Sequence, residues 1–173
     1  MNVSGVGRGN AVAGFAQMRP ATVNDLPIVR DITAAAYAPY TDLLGGPPLP
    51  VTEDYVPRIA RNEVWLRDDG EVISALAVFE RHEDHLLIFS LAVAPSCQRQ
   101  GLGMELLRFV DAQAVQQGVP EVRLYTNARM ERNIALYRAY GFQETGRRQH
   151  PYRPAWMLVD MAKPAERMAA EVN

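Results

Sequence analysis

A glycine-bearing turn between an apolar strand and an amphipathic helix constrains this chain more than any other feature. The turn is Gln98-Arg99-Gln100-Gly101-Leu102-Gly103. The run before it, Leu86-Leu87-Ile88-Phe89-Ser90-Leu91-Ala92-Val93, is apolar on both faces, as a strand covered on both sides of a sheet must be. The run after it repeats apolar residues at helical spacing: Leu102, Leu106, Val110 and Ala114, with Leu107 beside them. A turn so placed presents backbone N–H groups at a helix N-terminus, and two glycines let a bulky group approach that backbone. Free N–H groups and the positive end of the helix dipole make an anion site, most naturally for phosphate.

What the motif is not narrows the ligand. A dinucleotide fingerprint needs a third small residue three positions after Gly103, where Leu106 stands. A P-loop needs Gly-Lys-Ser/Thr, and the residues after Gly101 are Leu102, Gly103 and Met104. The form that fits is Gln/Arg-x-x-Gly-x-Gly, a short loop wrapping a pyrophosphate. It resembles the acyl-coenzyme A loop of the GNAT N-acetyltransferase superfamily. A second segment, Asn133-Ile134-Ala135-Leu136-Tyr137-Arg138-Ala139-Tyr140-Gly141-Phe142, is similar to that family's helix with a Leu-Tyr pair ending at Gly-Phe. Gly141 suits a left-handed helix C-cap and Phe142 begins a core strand. The resemblance implies a mixed α/β (α+β) fold, a largely antiparallel central sheet flanked by helices. It also implies acetyl transfer from acetyl-CoA to a primary amine; the aromatic, weakly polar residues expected around the acceptor put a small-molecule amine slightly ahead of a peptide or protein amine. A catalytically idle acyl-CoA-binding module is the competing reading.

The chain of 173 residues suits one domain with a full core, and 48% hydrophobic with 22% charged residues indicates neither disorder nor a membrane span. No apolar stretch reaches the roughly 18 residues a spanning helix requires. A formal charge of −2 leaves no basic footprint for nucleic acid. The single cysteine, Cys97, excludes an internal disulfide, offers no metal cluster and reads as an inert loop thiol. Residues 1–16 read as a flexible extension without a signal peptide, 17–163 as the domain, and 164–173 as a tail. The simplest location is cytoplasmic.

Along the chain, Gln17 to Pro20 is expected as a strand, and Asn24-Asp25 caps a helix from Leu26 to about Ala36. Tyr37 to Pro50, with four prolines and two glycines, reads as an irregular loop, and Thr52-Glu53-Asp54 opens a helix to about Ala60. Glu63 to Arg67 and Glu71 to Glu80 form a hairpin across Asp68-Asp69-Gly70. His85 to Val93 is the central strand and Leu102 to Gln117 a helix. Val122 to Thr126 is a strand, Glu131 to Tyr140 a helix, and Phe142 to Gly146 and Ala155 to Met161 the last strands.

The resemblance also assigns roles. The backbone of Leu91, Ala92 and Val93 falls where the family's splayed central strand pairs with the pantetheine arm and the acetyl oxygen. The N–H groups of Arg99 to Met104 hold the pyrophosphate, and Gln98 opens the loop. Tyr137 takes the place of the thiolate-protonating tyrosine, a phenol with a pKa of about 10. Asn133, one turn before it, is a cofactor contact, although many members carry asparagine where Met130 stands here. The family's strand glutamate is replaced by Leu87. His85, on the same strand face by alternation, is then the first candidate base, with Glu80 and Glu83 beside it, and proton removal through water is the alternative. His82 with His85 makes a poor metal pair, because no third ligand is close, and no metal is expected. Tyr37, Tyr40, Tyr152 and Trp156 are expected to wall the acceptor site, or equally to make a homodimer contact.

Overall fold

The computed structural model describes residue 12 and residues 14–166; the remaining residues of the expected extension and tail lie outside the described residues. The elements are β1 (Met18–Pro20), α1 (Leu26–Leu44), α2 (Leu49–Thr52), α3 (Tyr55–Ala60), β2 (Val64–Asp68), β3 (Ile73–Arg81) and β4 (His85–Val93). They continue with α4 (Leu102–Gln116), β5 (Glu121–Asn127), α5 (Glu131–Tyr140), β6 (Gln143–His150) and β7 (Arg153–Pro164). All seven strands join one sheet in the order β1-β2-β3-β4-β5-β7-β6. Only β4 and β5 run parallel, joined by the α4 crossover, so the mixed, largely antiparallel sheet expected above is what forms.

Two apolar layers sandwich the sheet. On one face α1 and α3 bury Val29, Ile32, Tyr37 and Tyr55 against Leu66, Leu76, Val78 and Ala92. On the other, Leu106, Phe109 and Val110 of α4 pack on Trp65, Ala77, Phe79 and Ile88. Burial on both sides explains why β3 and β4 read as continuous apolar runs. Phe15, within the expected extension, is 8% exposed and meets Phe109 edge-on at 5.5 Å. At the far side, Lys163 of β7 donates to Asp111 of α4 at 3.0 Å, and the Tyr140 hydroxyl of α5 donates to the same carboxylate oxygen at 2.7 Å.

Three expectations are corrected. The loop from Tyr37 to Pro50 is mostly helix: α1 runs on to Leu44 through Pro39. Pro39 deletes one backbone donor, but Tyr37 and Leu44 are buried, and that packing outweighs the lost bond. The stop comes at Gly45, at φ 74°, where Gly45 N–H returns to Asp42 O and Gly46 N–H to Thr41 O. The helix expected from Thr52 is two short ones, broken at extended Glu53 and restarted where Asp54 accepts from Val56 N–H. Finally, the strand expected to end at Gly146 continues to His150 and pairs with a β7 that starts at Arg153. This arm is exposed on both faces, so it carries no alternating pattern to read.

Candidate active site

The site is built on a parting of strands. β4 and β5 pair only from His85 and Glu121 to Ile88 and Leu124. Beyond Ile88, β5 continues along β7 while β4 continues along β3. A bulge at Phe89, where Val78 faces Ser90 and Phe79 faces Ile88, bends β4 away and switches its faces. Leu86 and Ile88 belong to the α4-side core, and so do Leu91 and Val93, whereas Phe89 and Ala92 face α1. The backbone follows suit. Ala94 N–H bonds to Ser74 O of the β3 side at 2.9 Å, which puts the even-numbered residues toward β3. Leu91 O instead accepts from the Tyr37 hydroxyl at 3.4 Å, and Val93 O accepts from Gln98 Nε2 at 3.2 Å. In extended chain a residue's N–H points with its C=O, so the N–H groups of Leu91 and Val93 face the gap.

The turn of the opening motif closes one end of this gap. Pro95–Cys97 make a short 3-10 turn, Arg99 sits at φ 62°, and Gly101 at φ 76° starts α4. No side chain caps that helix, which leaves its first N–H groups open. The glycines divide their tasks. Gly101 supplies the left-handed conformation, and a Cβ on Gly103 would stand 3.3 Å from Leu136 Cδ2, so Gly103 sets the approach of α4 to α5.

An outer groove runs from this turn into the gap. Ala36, Tyr37 and Tyr40 of α1 form one wall, Leu91 and Val93 the floor, and Gln98, Arg99 and Gly103 the entrance. Arg132, Asn133, Leu136 and Tyr137, one face of α5, complete it. Seven residues expected from the sequence thus meet: Leu91, Val93, Gln98, Arg99, Gly103, Asn133 and Tyr137. Gln100, Gly101, Leu102 and Met104 belong to the turn and first helical turn without lining the groove, and Ala92 is buried toward α1. Arg132 was missed, although its place one helical step from Leu136 on the Tyr137 face marked it. The Tyr40 hydroxyl donates to Asn133 Oδ1 at 3.1 Å across the groove.

Behind lies an inner cleft that shares Tyr37, Asn133 and Tyr137 with the groove. Phe89, Ser90, Tyr125, Asn127, His150 and Trp156 are among its walls, and Pro48 to Pro50 roof it. The roof is tied down where Trp156 Nε1 donates to Leu44 O at 3.0 Å and Arg153 to Pro47 O at 2.8 Å. Of the expected aromatic wall, Tyr37 and Trp156 line this cleft and Tyr40 the groove, while Tyr152 is 89% exposed. At the junction the Tyr37 hydroxyl meets Ser90 Oγ at 3.0 Å. Burial pushes the phenols of Tyr137, Tyr37 and Tyr40 upward, which keeps all three protonated at neutral pH.

The candidate bases stand apart. His85 begins β4, six residues or about 20 Å of strand before Leu91. Its Nδ1 is 2.7 Å from Asp84, and its ring stacks on His82 at 4.5 Å. Glu80 is held by Arg58 at 3.4 Å and by His82 at 3.2 Å. Neither His85 nor Glu80 lines the groove or the cleft. Among the described residues no group of three metal-binding side chains occurs, and no helix is long and apolar enough to cross a membrane.

The chain is similar in sequence and in fold to known acetyltransferases. The family model described as "Acetyltransferase (GNAT) family" matches residues 29–142. The [ribosomal protein bS18]-alanine N-acetyltransferase of Escherichia coli (strain K12) is 35% identical over 87 residues, 50% of this chain and 58% of that protein. The match therefore spans less than two thirds of that relative. The crystal structure of the ribosomal-protein-S18-alanine N-acetyltransferase from Escherichia coli superposes with a TM-score of 0.67 at 25% identity, covering 90% of this chain and 97% of the other. A GNAT family acetyltransferase from Elizabethkingia anophelis with acetyl-CoA bound gives a TM-score of 0.64 at 20% identity, over 85% of this chain and 96% of the other.

Proposed function

The chain belongs to the acetyltransferase (GNAT) family, and from that premise we propose that it moves an acetyl group from acetyl-CoA to a primary amine by direct attack. The observation that carries this reading is one groove joining the uncapped start of α4 to the open edge of β4 and ending at Tyr137. The N–H groups after Gly101 and the guanidinium groups of Arg99 and Arg132 suit a pyrophosphate at the entrance. The Val93 N–H suits the amide-bearing arm, and the Leu91 N–H suits the thioester oxygen, which it would polarise. Attack by nitrogen breaks the C–S bond, the leaving sulfur takes a proton, and the nitrogen gives one up. Tyr137, at the meeting of groove and cleft, acts as hydrogen-bond donor to that sulfur. Its raised pKa makes it a donor that stays protonated in the resting protein.

The tied roof over the inner cleft favours a small-molecule acceptor. A peptide or protein amine is the second reading, favoured by the name of the Escherichia coli relative, which acts on ribosomal protein bS18. A homodimer contact through the expected aromatics, of which Tyr152 is 89% exposed, and a cytoplasmic location remain part of the proposal. Thiol release from acetyl-CoA, measured against a panel of small amines and short peptides, tests the reading. Release that depends on the amine supports it. Binding of acetyl-CoA without transfer to any amine would leave only a binding module.

A further inference from the structure

Resting on the acetyl-transfer reading, the chemistry of the inner cleft says which amines it accepts. An ammonium must lose a proton before its nitrogen can attack, and a nearby carboxylate would both attract it and take that proton. Among the described residues lining the cleft there is no Asp, Glu, Lys or Arg. The nearest charges stand behind its walls and are engaged. Arg58 of α3 lies 3.9 Å from the Phe89 ring centroid and is held by Glu53, Glu63 and Glu80 at 3.6, 3.0 and 3.4 Å. Arg148 of β6 lies 5.2 Å from the Tyr125 ring centroid and pairs with Asp160 at 3.0 Å. Arg153 of β7 lies 4.2 Å over the Trp156 ring and donates to Pro47 O. Arg132 of α5 faces the outer groove.

The titratable groups that do face the cleft are neutral. Tyr37, Tyr125 and Tyr137 stay protonated, and burial beside Arg153 and Arg148 pushes His150 below its usual value. His150 Nδ1 accepts the Tyr152 N–H at 3.2 Å, so the neutral ring presents Nε2–H as a donor. Asn127 Nδ2, buried and without a hydrogen-bond partner, is a second donor in the same lining. A cleft of this kind penalises an unpaired ammonium heavily and offers oxygen-seeking N–H groups instead. At its junction with the groove, beside Leu91, stands the hydroxyl pair of Tyr37 and Ser90, with oxygens able to accept from an uncharged N–H.

We propose that the Tyr37–Ser90 hydroxyl pair receives the acceptor nitrogen as its free base, and that the site therefore acetylates weakly basic primary amines, above all an α-amine beside a carbonyl, in preference to alkylammonium groups. The carbonyl lowers the basicity of its neighbouring nitrogen, and its oxygen is what Asn127 Nδ2 and His150 Nε2–H can bind. The balance closes without a protein base. The nitrogen bonds to the thioester carbon, the C–S electron pair goes to sulfur, and the proton shed by nitrogen matches the one sulfur gains.

The test compares alaninamide with Nα-acetyl-lysinamide as acceptors over a range of pH. With ammonium pKa values of about 8 and about 10.4, the free-base fractions at pH 7.5 differ roughly 200-fold. Alaninamide should lead in kcat/KM by about 100-fold or more at pH 7.5, and the lead should shrink to about tenfold by pH 9.5, where its own titration is complete. Equal rates at pH 7.5, or a ratio that does not move with pH, would overturn the inference while leaving acetyl transfer intact. No transfer to any amine in the panel would overturn the acetyl-transfer reading and this inference with it. Tyr37→Phe should raise the acceptor KM about fivefold or more with acetyl-CoA affinity within twofold, and Ser90→Thr should retain function that Ser90→Ala loses. Parallel losses in cofactor affinity would reduce the pair to a structural brace.

Discussion

In the proposed reaction Tyr137 is the side chain on which the chemistry turns, and its surroundings favour hydrogen-bond donation over full ionisation. Burial holds its phenol protonated, above a thiol's ordinary range of about 8.5, so as proposed it would steady the leaving sulfur before that sulfur receives a proton. Tyr137→Phe is expected to lower kcat by about 10- to 10³-fold while acetyl-CoA affinity stays within a few fold, read by steady-state kinetics and by titration of the cofactor. His85 and Glu80 carry the opposite expectation. Both are engaged with neighbours away from the groove, so His85→Ala and Glu80→Gln should each cost less than about tenfold in kcat/KM. A hundredfold loss in either, with cofactor binding intact, would make that residue the base.

At the scale of elements, α4, α5 and β7 meet at one buried ion pair. Asp111 is 4% and Lys163 4% exposed, and the Tyr140 hydroxyl completes the carboxylate's contacts. Asp111→Ala would leave the buried Lys163 ammonium with the Pro164 carbonyl at 2.9 Å and Glu166 at 3.5 Å as its remaining partners, and a loss of about 3 kcal/mol in denaturant unfolding is expected. Asp111→Asn, which keeps the Tyr140 contact, should lose less. How legible these elements were depends on their periodicity. β4, α4 and α5 announce themselves by continuous or helical apolar spacing, and the turn at Gly101 by its glycine. The last two turns of α1 hide behind Pro39, because proline counts against a helix locally while burial of Leu44 decides it globally. β6 hides because both its faces meet water. The site divides in the same way. Leu91, Val93, Asn133 and Tyr137 are local to recognisable runs, whereas the Tyr37–Ser90 pair is joined across 53 residues and depends on a bulge at Phe89 that no spacing signals.

For the molecule as a whole, the groove predicts a ligand that stabilises the fold by mass action. Acetyl-CoA at a hundred times its Kd should add about 2.7 kcal/mol of stability, visible as a rise in Tm. Arg132→Glu should weaken that rise by placing a negative charge on the wall of the groove that Arg99 also lines, without moving the Tm of the protein alone by more than a degree or two. An unchanged rise in the variant would remove Arg132 from the binding surface. The tied roof has a consequence in the order of synthesis. Trp156 reaches back 112 residues to Leu44 and Arg153 reaches back 106 to Pro47, whereas the outer groove draws all its residues from Ala36 to Tyr137. A growing chain would therefore have made every groove residue while the chamber beside it still lacked a ceiling clasp. On the proposed reading, competence to choose an acceptor would arrive last, with β7, as a lock fitted after the door is hung.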